Sequence, residues 1–131
     1  MVVAPSRHSR TFTRQRFYAL EARFKDVHPN VIRHFVGVAQ IRRVLGAPPE
    51  TWTVEGGDDD KPDALWRTHA GMVAVEFDAG SYSPGQVTSK AFSFRHYAKQ
   101  IWGSSSRKRT ERLRPLLDEF ENAEEPVYAA W

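Results

Sequence analysis

The stretch Gly71–Gly80, GMVAVEFDAG, constrains this chain more than any other. From Met72 to Phe77 it is bounded by glycines and rich in valine, the pattern of a strand held inside a sheet. Two acids interrupt it. Glu76 and Asp78 lie two positions apart, so on an extended backbone their side chains leave the same face. Acids are depleted in strand interiors. A strand that carries two of them therefore asks for a reason beyond packing.

The rest of the chain reads as elements arranged around that strand. At 131 residues, with 40% hydrophobic and 27% charged residues, it has material for one domain with a core. We read residues 1–12 as a flexible basic arm and 13–131 as a single domain. Residues 13–26 fit a helix through Phe17, Leu20 and Phe24. Asn30 is placed to cap a second helix, with Val31, Phe35, Val38 and Leu45 inward, that stops at Gly46 before Pro48 and Pro49. Three strand-like runs follow, 51–55, 61–67 and 71–80, joined by short turns as an antiparallel meander. Ser83 and Pro84 start a helix that extends to about 96, with Val87, Ala91 and Phe94 inward. Residues 98–102 read as a fourth strand. Ser106 caps a charged helix over about 107–121, with Leu113, Leu116, Leu117 and Phe120 inward and Pro115 interrupting it. PVYAAW, 126–131, reads as an edge strand. The order is α-α-β-β-β-α-β-α-β, an α/β fold with a mixed central sheet flanked by helices.

Several classes of function are excluded. The chain has no cysteine, so thiol nucleophiles, disulfide scaffolds and Cys-ligated metals are out. No run approaches the ~18 apolar residues of a membrane span, and the N-terminus lacks the apolar run of a signal peptide. A cytoplasmic protein without a membrane partner is expected. The net charge of +3 hides blocks: residues 1–45 carry +7, 46–85 carry −6, 86–117 carry +7 and 118–131 carry −5. An acidic block between basic ones suits a metal-binding carboxylate cluster flanked by phosphate-holding surfaces. It also suits solvated faces that alternate by chance.

The chemistry concentrates in residues 61–90. Asp63 lies thirteen residues before Glu76, and pairing of their strands brings Asp63 towards Glu76 and Asp78. Three carboxylates converging on one end of a sheet need a cation to offset their repulsion. Oxygen ligands suit Mg²⁺ or Mn²⁺. Lys90, one to two turns into the next helix, is placed to stabilise charge on a phosphoryl group. Gln86 and Tyr97 share its helical face. Each has a plainer reading: Asp63 as a turn residue after Pro62, Lys90 as a surface lysine, and His34 as a helix-face histidine with a satisfied hydrogen bond rather than a ligand.

These residues carry a resemblance. KPDALW (61–66), VAVEFDAGS (73–81) and Lys90 together resemble the PD-(D/E)xK nuclease superfamily, the restriction-endonuclease-like fold. Within it, the chain looks most like plasmid replication-relaxation proteins. His34 before VGVAQIRRVL, Trp52 with Glu55, Pro62-Asp63-Ala64, Glu76-Phe77-Asp78 with Gly80-Ser81, and Lys90 with Tyr97 carry that likeness, over about residues 30–131. The resemblance implies Asp63 and Glu76 as metal ligands, Asp78 as a third ligand or a spacer, and Lys90 as the charge stabiliser. The superfamily's lysine usually lies two residues after the Glu, where this chain has Asp78, so the role passes to Lys90. Residues 1–29 are too short for the winged-helix region expected ahead of such a domain. Glu21 and Glu55 are further acids within reach of the pattern.

The second basic block has two readings. Arg107, Lys108, Arg109 and Arg112 follow Ser104–Ser106, a serine-rich turn at a helix start that suits a DNA backbone. Alternatively they face the acidic tail, Glu119 to Glu125. The functional expectation is a Mg²⁺- or Mn²⁺-dependent deoxyribonuclease in plasmid, mobile-element or repair processes. Cutting both strands of a duplex would call for a homodimer, with PVYAAW as a candidate interface. The alternatives are a degenerate nuclease fold that binds DNA or a protein, and a partner-binding protein unrelated to nucleic acid.

Overall fold

The computed structural model describes residues 2–3, 15–16, 29–55 and 60–130. In the first part of the chain, β1 (Val2–Val3) pairs antiparallel with β2 (Gln15–Arg16). Gln15 and Arg16 are thus in a strand, where the sequence predicts the helix 13–26. The run TFTRQRFY (11–18) is rich in aromatic and β-branched residues, so strand competes with helix there. The remainder of the arm and of that helix lies outside the described residues.

The domain is α/β. Helix α1 (Pro29–Leu45) leads through a 3-10 turn at Pro49–Thr51 into β3 (Trp52–Val54). β4 (Ala64–Thr68), β5 (Gly71–Phe77), α2 (Pro84–Ser93), β6 (Lys99–Ser104), α3 (Arg107–Leu117) and β7 (Val127–Tyr128) follow. The five strands form one mixed sheet in sequential order, β3-β4-β5-β6-β7. The meander β3-β4-β5 is antiparallel, as its short connections require. β5-β6 and β6-β7 are parallel, each bridged by a helix.

β5 is buried on both faces, which explains its near-continuous apolar run. Val73, Val75 and Phe77 face α1 and pack with Val38 and Ile41. Ala74 faces the other way, into a second cluster with Val87, Ala91 and Phe94 around α2, Leu113 and Leu117 of α3, and Trp102 of β6. Glu76 and Asp78 share the side of Ala74 by alternation.

Two glycines let α1 sit close to the sheet. A Cβ on Gly37 would lie 2.3 Å from the Phe77 ring, and one on Gly103 would lie 2.6 Å from Ile41 Cδ1. The buried stripe of α1 accordingly runs through Ile32, Gly37, Val38 and Ile41, while Val31 is exposed. Asn30 lies inside the helix and accepts from Arg33 Nη1 at 2.6 Å, and Pro29 opens it. The helix stops at Gly46, whose φ of 67° suits a residue without a Cβ. Ser83 and Gln86 form a reciprocal capping box on α2. Ser106 accepts from the Arg109 N–H at the start of α3, which ends at Leu117, two residues past Pro115. Among the described residues no helix is long and apolar enough to cross a membrane.

Candidate functional site

The site forms at the edge of the sheet where β5 ends, where β4 begins and where α1 and α2 start. The β4–β5 register pairs Ala64 with Val75. One residue on, Asp63 and Glu76 meet: the Asp63 N–H donates to Glu76 Oε2 at 3.1 Å. Asp63 turns its carboxylate across the strand end, where Oδ2 accepts from the Phe77 N–H at 2.9 Å. It is 5% exposed. The proline before it is buried, so Asp63 is not a surface turn residue.

His34 comes down from α1 onto the same carboxylate, Nδ1 lying 2.9 Å from Asp63 Oδ2. An ionised carboxylate only accepts, so Nδ1 carries the proton in this contact. The ring packs edge-on against Phe77, with centroids 5.9 Å apart. The close approach at Gly37, one turn along α1, sets that height. His34 therefore has its hydrogen bond, and it also belongs to the acidic group. His34, Asp63 and Glu76 each offer a ligand atom, all within 4.8 Å of one another, and this group could hold a metal ion.

Glu76 is fully buried. Its Oε1 accepts from Lys90 Nζ at 2.6 Å and from Tyr82 Oη at 2.9 Å. Lys90 lies on the buried stripe of α2 with Val87 and Ala91, three and one positions away, and is 8% exposed. A lysine on an apolar helix face is a stronger signal than a lysine near acids, and the sequence carries it. Burial, then the charge of Asp63, pushes the Glu76 carboxyl up to about 7 against the opposing pull of Lys90. Burial works against a charged His34, but the hydrogen bond and charge of Asp63 outweigh it and raise its pKa above 6.5. Burial and the neighbouring carboxylates raise Tyr82 as well.

Asp78 stands apart. Its Oδ1 accepts from the Gly80 N–H at 2.6 Å and its Oδ2 from Arg109 Nε at 2.6 Å. Burial raises its pKa despite Arg109. It shares a face with Glu76 as expected, but it lies past the strand end. Its backbone N–H bonds Gly103 O, and its carboxylate is closed by Gly80 and α3. The expected trio of carboxylates is replaced by two carboxylates and an imidazole.

Arg109 is likewise turned inward. Its Nη2 donates to Tyr82 O at 2.6 Å, so one guanidinium ties α3 to both ends of the 78–82 loop. Arg107 stacks over the Tyr128 ring at 4.2 Å, while Lys108 and Arg112 are exposed. Arg114 pairs with Glu125 at 2.8 Å, so the acidic tail takes one arginine of the block. Gln86 is spent on the α2 cap, and Tyr97 lies beyond α2 against Phe94. Glu55 is exposed, and Glu21 lies outside the described residues. Tyr82 belongs to no motif in the sequence; only its place six residues after Glu76, before a capping box, hints at it.

A cavity of about 120 Å³ opens on this group, lined by His34, Asp63 and Tyr82 with Asn30, Val31, Phe35, Val38 and Val54. Comparison with protein-family models, curated proteins and solved structures finds no match to this chain.

Proposed function

We propose that the chain is a metal-dependent deoxyribonuclease of the PD-(D/E)xK type, hydrolysing phosphodiesters of plasmid or other mobile-element DNA in the cytoplasm and acting on duplexes as a homodimer. The observation that carries this reading is the meeting of Asp63, Glu76 and Lys90 at one strand edge. The lysine arrives from α2, fourteen residues after the Glu, to within 2.6 Å of it.

The donor set fits a divalent ion. Asp63 Oδ1 has no hydrogen-bond partner among the described residues although the side chain is buried, and an orphaned carboxylate oxygen beside an imidazole is a place for a cation. Two carboxylates suit Mg²⁺ or Mn²⁺, and the imidazole tilts the choice towards Mn²⁺. Bound there, such an ion supplies Lewis acidity towards a phosphoryl oxygen. His34, Asp63 and Glu76 would hold it. Lys90 brings a positive charge to the phosphate that develops negative charge as it is attacked. Tyr82 fixes the Glu76 carboxylate. All three helices start at this edge, so their N-terminal dipoles favour an anionic backbone, and Lys108 and Arg112 extend that field.

A second reading keeps the fold and DNA binding without cleavage. It is favoured by Asp78, which stands where the superfamily places its lysine and is closed by Arg109. The test is incubation of end-labelled duplex with Mn²⁺ for wild type and Asp63→Asn. Cleavage by wild type alone, with both proteins binding DNA, supports the nuclease. Binding by both and cleavage by neither supports the second reading.

A further inference from the structure

Both oxygens of Glu76 are engaged. Oε1 accepts from Lys90 at 2.6 Å and from Tyr82 at 2.9 Å, and Oε2 accepts from the Asp63 N–H at 3.1 Å. A carboxylate oxygen has about two lone-pair sites; Oε1 has filled both and Oε2 one. Asp63 Oδ1 and the second ring nitrogen of His34, by contrast, have no partner among the described residues.

We infer that Lys90 is the resident cation of this site, and that a divalent ion competes with it for Glu76 instead of joining it. The ion is taken first by Asp63 and His34, and its approach to Glu76 works against the charge of the ammonium already held on Oε1. Two cations on one buried carboxylate repel, and salt screens little there. An ammonium displaced from Oε1 stays close. Tyr82 Oη is 3.5 Å away, and the rings of Tyr82 and Phe94 lie with centroids 5.3 and 6.0 Å from Nζ. The ion pair is thus a charge exchange that arms the lysine when metal arrives. The inference rests on the metal-binding part of the function proposed above, and not on cleavage or DNA.

The test is Mn²⁺ titration by calorimetry of the full chain, as wild type, Lys90→Gln and Lys90→Arg. Lys90→Gln keeps an N–H donor for Glu76 but removes the charge. It is expected to bind Mn²⁺ about tenfold tighter than wild type, and Lys90→Arg, which keeps the charge, not to tighten binding; tighter binding by Lys90→Arg also overturns the inference. Equal or weaker binding by Lys90→Gln overturns the inference while leaving the metal site standing. Should Lys90→Gln not fold, Glu76→Gln gives the second test. Mn²⁺ binding that persists through Asp63 and His34, weakened by about tenfold or less, supports the order of capture, and its loss overturns it. No binding by any of these proteins, wild type included, overturns the metal reading itself.

Discussion

Arg109 Nε lies 2.6 Å from Asp78 Oδ2, joining α3 to the end of β5 through an acid that is fully buried. The pair spans thirty-one residues of sequence. It makes Asp78 part of the scaffold, while Glu76, two residues earlier, faces the site.

Removing one partner of a buried pair leaves an uncompensated charge. Arg109→Ala is therefore expected to lower stability by about 3–5 kcal/mol in urea unfolding. The double variant Asp78→Asn/Arg109→Gln, which removes both charges, recovers part of that loss. Mn²⁺ affinity of the double variant stays within about threefold of wild type, because Asp78 is outside the metal group. A collapse in affinity would place Asp78 among the ligands.

Gly37 sets the height of α1 above Phe77. A methyl group there would lie 2.3 Å from the ring, and ring and helix are both packed. Gly37→Ala is expected to destabilise by about 1–3 kcal/mol and to weaken Mn²⁺ binding by pushing His34 away from Asp63. Unchanged unfolding and unchanged affinity would show that the helix can lift without disturbing the site.

Much of this was legible, and what was missed has a physical cause. The strand start at Gly71, the caps at Ser83 and Ser106 and the stop at Gly46 are local signals, and they sit where the sequence predicts them, although the strand ends at Phe77 and not at Gly80. Asp63 meets Glu76 because hairpin register follows from a two-residue turn, His69–Ala70, between β4 and β5. Side-chain alternation placed Asp78 on the same face as Glu76, but it says nothing about a strand that ends at Phe77 or about an arginine from a distant helix. Arg109 reads as one of a row of exposed cations, and only tertiary packing turns it inward. Val31 and Phe35 fit the helical period as well as Val38 does; the glycines at 37 and 103 decide which stripe faces the sheet.

Stability without metal is expected to fall as pH rises. Burial and Asp63 lift the Glu76 carboxyl to about 7, from an ordinary value of 4.5. Across that window the folded chain holds the proton and the unfolded chain has lost it, so folding weakens with increasing pH. His34 acts in the same sense: its contribution is complete below its ordinary 6.5 and is lost as pH passes its raised folded value. The urea midpoint should be higher at about pH 5.5 than at about pH 8, and saturating Mn²⁺ should flatten the difference. A midpoint that rises between those values without metal would contradict the charge assignment.

The exposed cations of α3 offer a test of the proposed DNA binding. Lys108 and Arg112 face solvent without ion-pair partners among the described residues. Lys108→Ala and Arg112→Ala are each expected to reduce the slope of log affinity against log salt by about one, for any duplex sequence. Fluorescence anisotropy over a salt series reads this. Unaltered slopes would move the nucleic-acid surface elsewhere.

The most direct test of the central claim is conversion of supercoiled plasmid to nicked and linear forms with Mn²⁺ or Mg²⁺, comparing wild type with Glu76→Ala and Lys90→Ala. The account predicts metal-dependent nicking by wild type and losses of about 10²–10³ in rate for each variant, both still folded by circular dichroism. Metal-dependent nicking that survives in both variants would contradict it.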